Sequence, residues 1–396
     1  MFNHLKSFLR QFESKSSRAA RLIAIEPGGR ARWTPRDYSA LAREGYARNA
    51  IVYRAVRLIA ESIGTLSFVL YEGAEERDTH QLLDLVSRPN PRQDGASLLE
   101  AVASHLLLAG NAYIEAVGPG NEDLQVRELY ALRPDRMKLV PGSDGWPQAY
   151  EYSVAGSKMR FDQSAVLPPI LHLTFFNPVD DHYGLSPLEA AAMAVDTHNA
   201  AACWNKALLD NAARPSGALV YDGGEGAVLS TLQYERLKKE FADHYQGHGN
   251  AGRPLVLEGG LDWRPMSLSP RDMDFLEAKH AAAREIALAF GVPPMLLAIP
   301  GDNTYSNYQE ANRVFWRQSV LPLASRITCA LTHWLAPVFG EGLVLAADID
   351  RIEALSADRA ALWDRVNKAQ FLSVNEKRLA VGYGAIEGGD VFRPPH

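Results

Sequence analysis

Cysteine is nearly absent from this 396-residue chain, which has only Cys203 and Cys329. Both fall in helical patterns and form no metal-ligand spacing, so they are predicted to be buried structural positions rather than a disulfide or a nucleophile. Long apolar runs are missing as well. No stretch approaches the ~20 residues that cross a bilayer. The N-terminus carries Phe2, Leu5, Phe8 and Leu9 among Lys6 and Arg10, without a secretory core or cleavage site, so a cytosolic protein with no membrane partner is expected.

Signatures of common chemistries are absent too. Gly-rich turns lie at 222–226 and 246–252, but neither follows GxxxxGK[ST] or GxGxxG between a strand and a helix, so no nucleotide cofactor is expected. His244 and His248 stand four apart like metal ligands on a helix face, yet Gly247 and Gly249 end that helix, and no metal is expected. Asp180, Asp181 and His182, and the pair Asp348 and Asp350, resemble acid/base material only in composition; turn and cap roles are expected for them. A hydrolase built on Asp180, Asp181, His182 and His198 is the competing class.

What is present is an ordinary globular composition, 47% hydrophobic and 22% charged, enough for real cores and two or three domains. Charge is uneven. The first 57 residues carry 12 Lys or Arg against 4 Asp or Glu, so the remainder holds a balance of −14 to reach the stated −6. A basic stripe grips phosphates. An acidic body suits a conduit through which nucleic acid slides better than a clamp.

Residues 1–48 are polar, basic and interrupted by Pro27, Gly28, Gly29 and Pro35, which predicts a partly mobile arm. A globular region begins near Asn49, where Ile51, Val52, Ala55, Leu58, Ile59 and Ser62 recur at helical spacing. Strands are expected at 66–71, 112–117, 124–132, 137–140 and 166–176, with a hairpin at 149–154 and 159–161 and a helix at 97–109. Strands that follow one another without crossover helices predict an α+β domain with a mostly antiparallel sheet.

The sharpest local pattern is a pair of Ala-rich helices opened by the same Ser-Pro-x-acid signal. Ser186 and Glu189 mark one start, Ser269 and Asp272 the other, with Ser as N-cap and an acid facing the orphan amides. The first helix, read to about Ala213, would span ~40 Å at 1.5 Å per residue. Between the two lies an insert read as strand 217–221, helix 231–244, and strands 254–258 and 261–267. Gly291, Val292, Pro293 and Pro294 end the second helix, and a helix from Gln309 to about Thr332, kinked at Pro322, follows a polar turn.

Several segments together resemble the HK97-type portal proteins of tailed phages and phage-derived gene transfer agents. They are NAIVYRAVRLIAESIG at 49–64, LLLAGNAYIE at 106–115, YGLSPLE at 183–189, GVPP at 291–294 with YSN at 305–307, and Asn375-Glu376 with Gly388, Gly389 and Asp390, in the family's order across most of the chain. The resemblance implies an α+β portal fold of wing, stem, clip and short crown, assembled as a ring around an axial channel. It divides the chain into an arm (1–48), a wing (49–185), a stem helix (186–213), a clip (214–268), a second stem helix (269–291), a tunnel loop with the rest of the wing (292–340), and a crown (341–396).

The same resemblance implies a non-enzymatic dodecamer at one capsid vertex through which double-stranded DNA is packaged and ejected. The implied DNA-facing tunnel loop is Ile299, Pro300, Gly301, Asp302, Asn303, Thr304, Tyr305, Ser306, Asn307 and Tyr308. Implied partners are the terminase large subunit, a head-tail adaptor and the major capsid protein. Assembly in the bacterial cytoplasm and a final place at the capsid vertex follow, with no cofactor. The crown is expected to lack an extended helical barrel.

Overall fold

The computed structural model describes residues 34–35, 37–73, 75–118, 125–210, 217–221, 230–245, 261–265, 275–301 and 305–391. Helix α1 (Ala50–Gly64) is fixed at its start by Asn49, whose side chain accepts from the amides of Ile51 and Val52. Its buried residues Val52, Ala55, Val56, Ile59, Ala60 and Ile63 recur three or four apart and lie on one face. That face meets α3 (Gly95–Ala109), capped by Asp94 and preceded by the short α2 (Gln81–Ser87).

All described strand pairings are antiparallel, as expected, but they make several small sheets. β1 (Phe68–Glu72) lies between β2 (Glu75–Arg77) and β11 (Leu343–Ala347). β3 (Asn111–Val117) lies between β4 (Glu128–Leu132) and β8 (Ile170–Thr174). β5 (Met137–Pro141), β6 (Pro147–Val154) and β7 (Ser157–Asp162) form a meander. The β1–β11 pairing corrects the boundary placed at 341, because the strand assigned to the crown completes a sheet of the wing.

Helices α4 (Pro187–Ala190) and α5 (Ala192–Asp210) replace the single long stem helix expected over 186–213. Leu188 and Val195 are buried on either side of the break at Ala191, so the turn lets both segments keep apolar contacts with the body. At 1.5 Å per residue α5 is ~28 Å long. The insert has β9 (Gly217–Tyr221), α6 (Thr231–Tyr245) and β10 (Leu261–Pro265), with β9 and β10 paired antiparallel; the strand expected at 254–258 lies outside the described residues. The return helix is α7 (Phe275–Ala289), which packs along α5.

The helix expected from Gln309 to Thr332 is two. α8 (Tyr305–Phe315) passes through a π turn (Trp316–Val320) into α9 (Leu321–Phe339). Pro322 does not kink a helix interior: it stands in the first turn of α9, where no intrahelical partner for its nitrogen is lost. The irregularity falls just upstream, in the widened turn. Two short helices, α10 (Ser356–Lys368) and α11 (Val374–Ala380), close the described chain as expected.

One large core joins α1, α3 and the bases of α5 and α7 to α9 and β11 through Ile59, Leu106, Ile286, Phe315, Ile327 and Leu345. A smaller one, with Tyr113, Leu139, Tyr150 and Phe161, sits among the β3 and β6 sheets. The arm reaches further into the body than expected. Tyr38–Ala40 and the π-helical Leu41–Ala47 precede α1, Leu41 is buried, and Gly45 lies against Leu188. Thr34 donates from its amide to Asp196 at 2.9 Å, so the body starts at residue 34 rather than 49.

Candidate channel segment and the stem helices

The C-terminal end of α7 shows why the Gly-Val-Pro-Pro sequence stops a helix. Gly291 adopts φ 65°, and its amide donates to Leu288 O at 3.0 Å while Val292 N donates to Ala287 O at 2.9 Å. These two bonds make a Schellman cap. A tight turn over Pro294–Leu297 follows and ends at Ala298, a left-handed non-glycine with φ 55°. Such a residue costs about 1 kcal/mol, and it is held by Ile299 N donating to Pro294 O at 3.1 Å.

The expected tunnel loop is only partly a loop. Ile299 is buried at 3% exposure in the large core, so it anchors the segment instead of facing DNA. Pro300 and Gly301 are exposed, and the Arg284 guanidinium of α7 donates to Pro300 O. Asp302, Asn303 and Thr304 lie outside the described residues. Tyr305, Ser306, Asn307 and Tyr308 form the first turn of α8, four residues earlier than the expected start. Ser306, Asn307 and Tyr308 are exposed. The run of capping-type residues at 302–304, just ahead of Tyr305, is the signal that marks this earlier start.

The base of the stem is tied to the wing by a polar junction that joins two of the motif segments. Gly110 (φ 71°) and Gly184 stand so close that a Cβ on Gly184 would lie 2.1 Å from Gly110 O. Asn111 Oδ1 accepts from Gly184 N at 2.9 Å, and Asn111 Nδ2 donates to Ala109 O at 2.8 Å. His172 Nε2 lies 3.0 Å from the same Asn111 oxygen and donates to it, which leaves Nδ1 to accept from the Tyr150 hydroxyl at 3.1 Å. Tyr113 stacks on the imidazole at 4.2 Å. Burial pushes the His172 pKa down to about 4, with His182 adding to the shift, and pushes the Tyr150 hydroxyl up to about 12. Two residues later Ser186 accepts from Glu189 N at 2.9 Å, the expected first stem cap. Ser269 and Asp272, the second, lie outside the described residues.

A second clamp holds α5. Buried Asn49, while capping α1, donates to His198 Nδ1 at 3.1 Å and Asn199 Oδ1 at 3.0 Å, and Asn199 donates to Glu44 O at 2.8 Å. Burial, and then Lys279, lower the His198 pKa, keeping the neutral acceptor form that this contact needs. Sequence reading quoted Asn49, Asn111 and Gly184 within motifs without assigning them contacts, because their partners are distant in the chain.

The hydrolase reading finds structural roles in place of chemistry. Asp180 accepts from His182 N at 2.8 Å and Tyr183 N at 3.0 Å, bonds that stabilise its charged form and lower its pKa, and His198 belongs to the α5 clamp. Asp350 binds Arg359 and the Tyr383 hydroxyl, while Asp348 pairs with Arg351. Cys203 and Cys329 are both exposed, against the expected burial: each stands on the outer side of its amphipathic helix. His244 lies in α6 and His248 outside the described residues; among the described residues no three His, Cys, Asp or Glu are grouped to hold a metal. Among them, too, no helix is long and apolar enough to cross a membrane.

A family model described as phage portal protein matches residues 50–382. This chain belongs to the phage portal protein family. An uncharacterized protein of Rickettsia felis is 40% identical over 395 residues, covering 98% of this chain and 99% of the relative. The portal protein of Enterobacteria phage HK97 is 26% identical over 367 residues, covering 89% and 83% of the two chains. Among solved structures, a chain in the neck of the native gene transfer agent particle, with C12 symmetry, is 53% identical with a TM-score of 0.68, covering 90% of this chain and 96% of that one. An HK97-family portal protein from Corynebacterium diphtheriae, at 15% identity and TM-score 0.55 over 81% of this chain and 98% of its own, shares the fold. The α+β portal fold of wing, stem and clip is therefore the architecture of this family member.

Proposed function

We propose that this portal protein forms a twelve-subunit ring at one vertex of a phage or gene transfer agent capsid and passes double-stranded DNA through its axis. The observation that carries the reading is the 53% identity, over 90% of the chain, to a protein found in a C12 particle neck. In the ring α5 and α7 line the channel. The segment that meets DNA is narrower than 299–308: Ile299 anchors it, and the exposed Pro300 and Gly301 with Ser306, Asn307 and Tyr308 of α8 face the duplex. A balance of −14 beyond residue 57 favours weak wall contacts that let DNA slide without being held.

The ring performs no chemistry of its own, and packaging is driven by a separate terminase whose large subunit docks on the clip, where the head-tail adaptor later binds. The wing meets the major capsid protein, and assembly takes place in the bacterial cytoplasm. Light scattering and negative-stain imaging of the purified chain test the ring: about twelve subunits with an open axial hole support it, while a closed, stable monomer that persists with capsid protein counts against it. Tyr308→Ala in a packaging assay tests the channel segment. The expected result is intact rings with reduced DNA uptake; unchanged uptake removes Tyr308 from the DNA path.

A further inference from the structure

The segment that closes the chain, from α10 through Val391, is built unlike the rest of the molecule. Its local structure is fully determined by polar contacts. Ser373 and Glu376 form a reciprocal capping box at the start of α11. Buried Asn375 donates to Ile386 O at 3.0 Å and Asp390 Oδ1 at 2.8 Å, and accepts from Ile386 N at 2.8 Å. Gly389 approaches that side chain so closely that a Cβ would stand 2.2 Å from Asn375 Oδ1. Yet Val366 is the one buried apolar side chain among the described residues from 356 onward. Trp363, Phe371, Val374, Leu379, Ile386 and Val391 are exposed, Phe371 at 77% and Leu379 at 72%.

Together these six side chains leave on the order of 600 Å² in water, as much as the largest apolar patch that a soluble monomer normally tolerates and close to the ~800 Å² per partner of a standard interface. Charge narrows the occupant. Residues 356–391 hold five Lys or Arg and five Asp or Glu, a net charge of zero in a protein whose body is acidic. A neutral apolar surface has no excess of cations for a phosphate backbone. Identical neutral surfaces can also be brought side by side without the repulsion that any net charge would multiply around a ring. The segment joins the body through polar contacts, Tyr71 hydroxyl to Gly382 O at 3.1 Å and Tyr383 hydroxyl to Asp350 at 2.9 Å, beside a cleft of about 590 Å³ that includes Val69, Leu379 and Val381.

We infer that the outward apolar side of α10 and α11 is a contact surface between neighbouring copies of this chain, so that the crown acquires its hydrophobic core only when the ring closes. The inference rests on the portal reading and adds to it which surface holds the subunits together at the C-terminal end. The contact is heterologous, one face of a crown against a different face of the next, as a cyclic ring requires.

The test uses the full chain carrying Phe371→Asp with Leu379→Asp, compared by mass photometry with the unmodified chain. Trp146→Asp, which removes an equally exposed aromatic from the β5–β6 turn, serves as the control. Loss of two apolar anchors at an interface is expected to lower the ring fraction at least about tenfold. The melting of the body should stay unchanged, since neither side chain is buried in the free subunit. Phe371→Leu with Leu379→Met should restore rings, and hydrogen exchange at 356–380 should slow when unmodified subunits assemble. Equal ring yield from the Asp variant, or equal loss from Trp146→Asp, overturns the crown contact and leaves the portal reading standing. An unmodified chain that never assembles overturns both.

Discussion

The body of this protein and its last forty residues solve the folding problem in opposite ways. Around α1, α3, α7 and α9 the chain is fixed by burial, with Ile59, Leu106, Ile286 and Leu335 at 1% exposure or less. Past Ser356 it is fixed by caps and by Asn375, with one buried valine. The first arrangement is self-sufficient, because apolar area removed from water at roughly 25 cal/mol per Å² outweighs chain entropy within one subunit. The second specifies shape without supplying much stability, and leaves its apolar surface for something else to cover.

The contrast can be broken most severely at the junction where the wing grips the stem. Gly184→Ala places a methyl within 2.1 Å of the Gly110 carbonyl, and a backbone that must shift there should lose about 4 kcal/mol or more, read as failure to fold or a collapsed denaturant midpoint. Next comes a matched pair. Leu106→Ala in the body should cost about 2–5 kcal/mol, whereas Val366→Ala in the crown should cost about 1 kcal/mol, both by denaturant unfolding. Equal losses would erase the distinction between the two regions.

Acid sharpens the same comparison. His172 titrates at about 4 in the folded protein and at 6.5 unfolded. Between those values the unfolded chain binds a proton that the native junction refuses, so stability is full above pH 6.5 and falls as pH drops toward 4. The loss should reach about 3 kcal/mol. His172→Gln should flatten that slope, while substitutions in the crown should leave it in place. Smallest in global terms is Asn375→Ala, which removes three hydrogen bonds and should cost about 1–3 kcal/mol. Its effect should be confined to fast amide exchange at 373–390, with the body's melting unmoved.

Much of this architecture was legible because its signals are local. Asn49, Ser186 and Ser373 cap helices, Gly291 ends one, and strand 217–221 matches the structure residue for residue. What escaped prediction depends on partners far away in the chain. The strand at 343–347 reads as the start of a new domain until β1 is placed beside it. Leu41 looks like part of a mobile arm until Leu188 arrives to pack near it. Ile299 was assigned to a loop by its neighbours in sequence, although its own apolar character, and a hydrogen bond back to Pro294, draw it inward. The two cysteines were placed inside on residue type alone, which says nothing about which side of an amphipathic helix they occupy.

The pairing of β1 with β11 sets a clock on biosynthesis. Leu70 finds its partner Leu345 about 275 residues later, which at translation rates of ~5–20 residues per second is a wait of roughly 15–55 s. Throughout that interval β1 presents an unpaired edge, able to pair with whatever strand is nearest. The stem and clip must emerge within the same interval, before the sheet at their base is complete. A nascent subunit therefore cannot present a finished wing to its neighbours until nearly the whole chain has left the ribosome, which delays ring building until each subunit is whole.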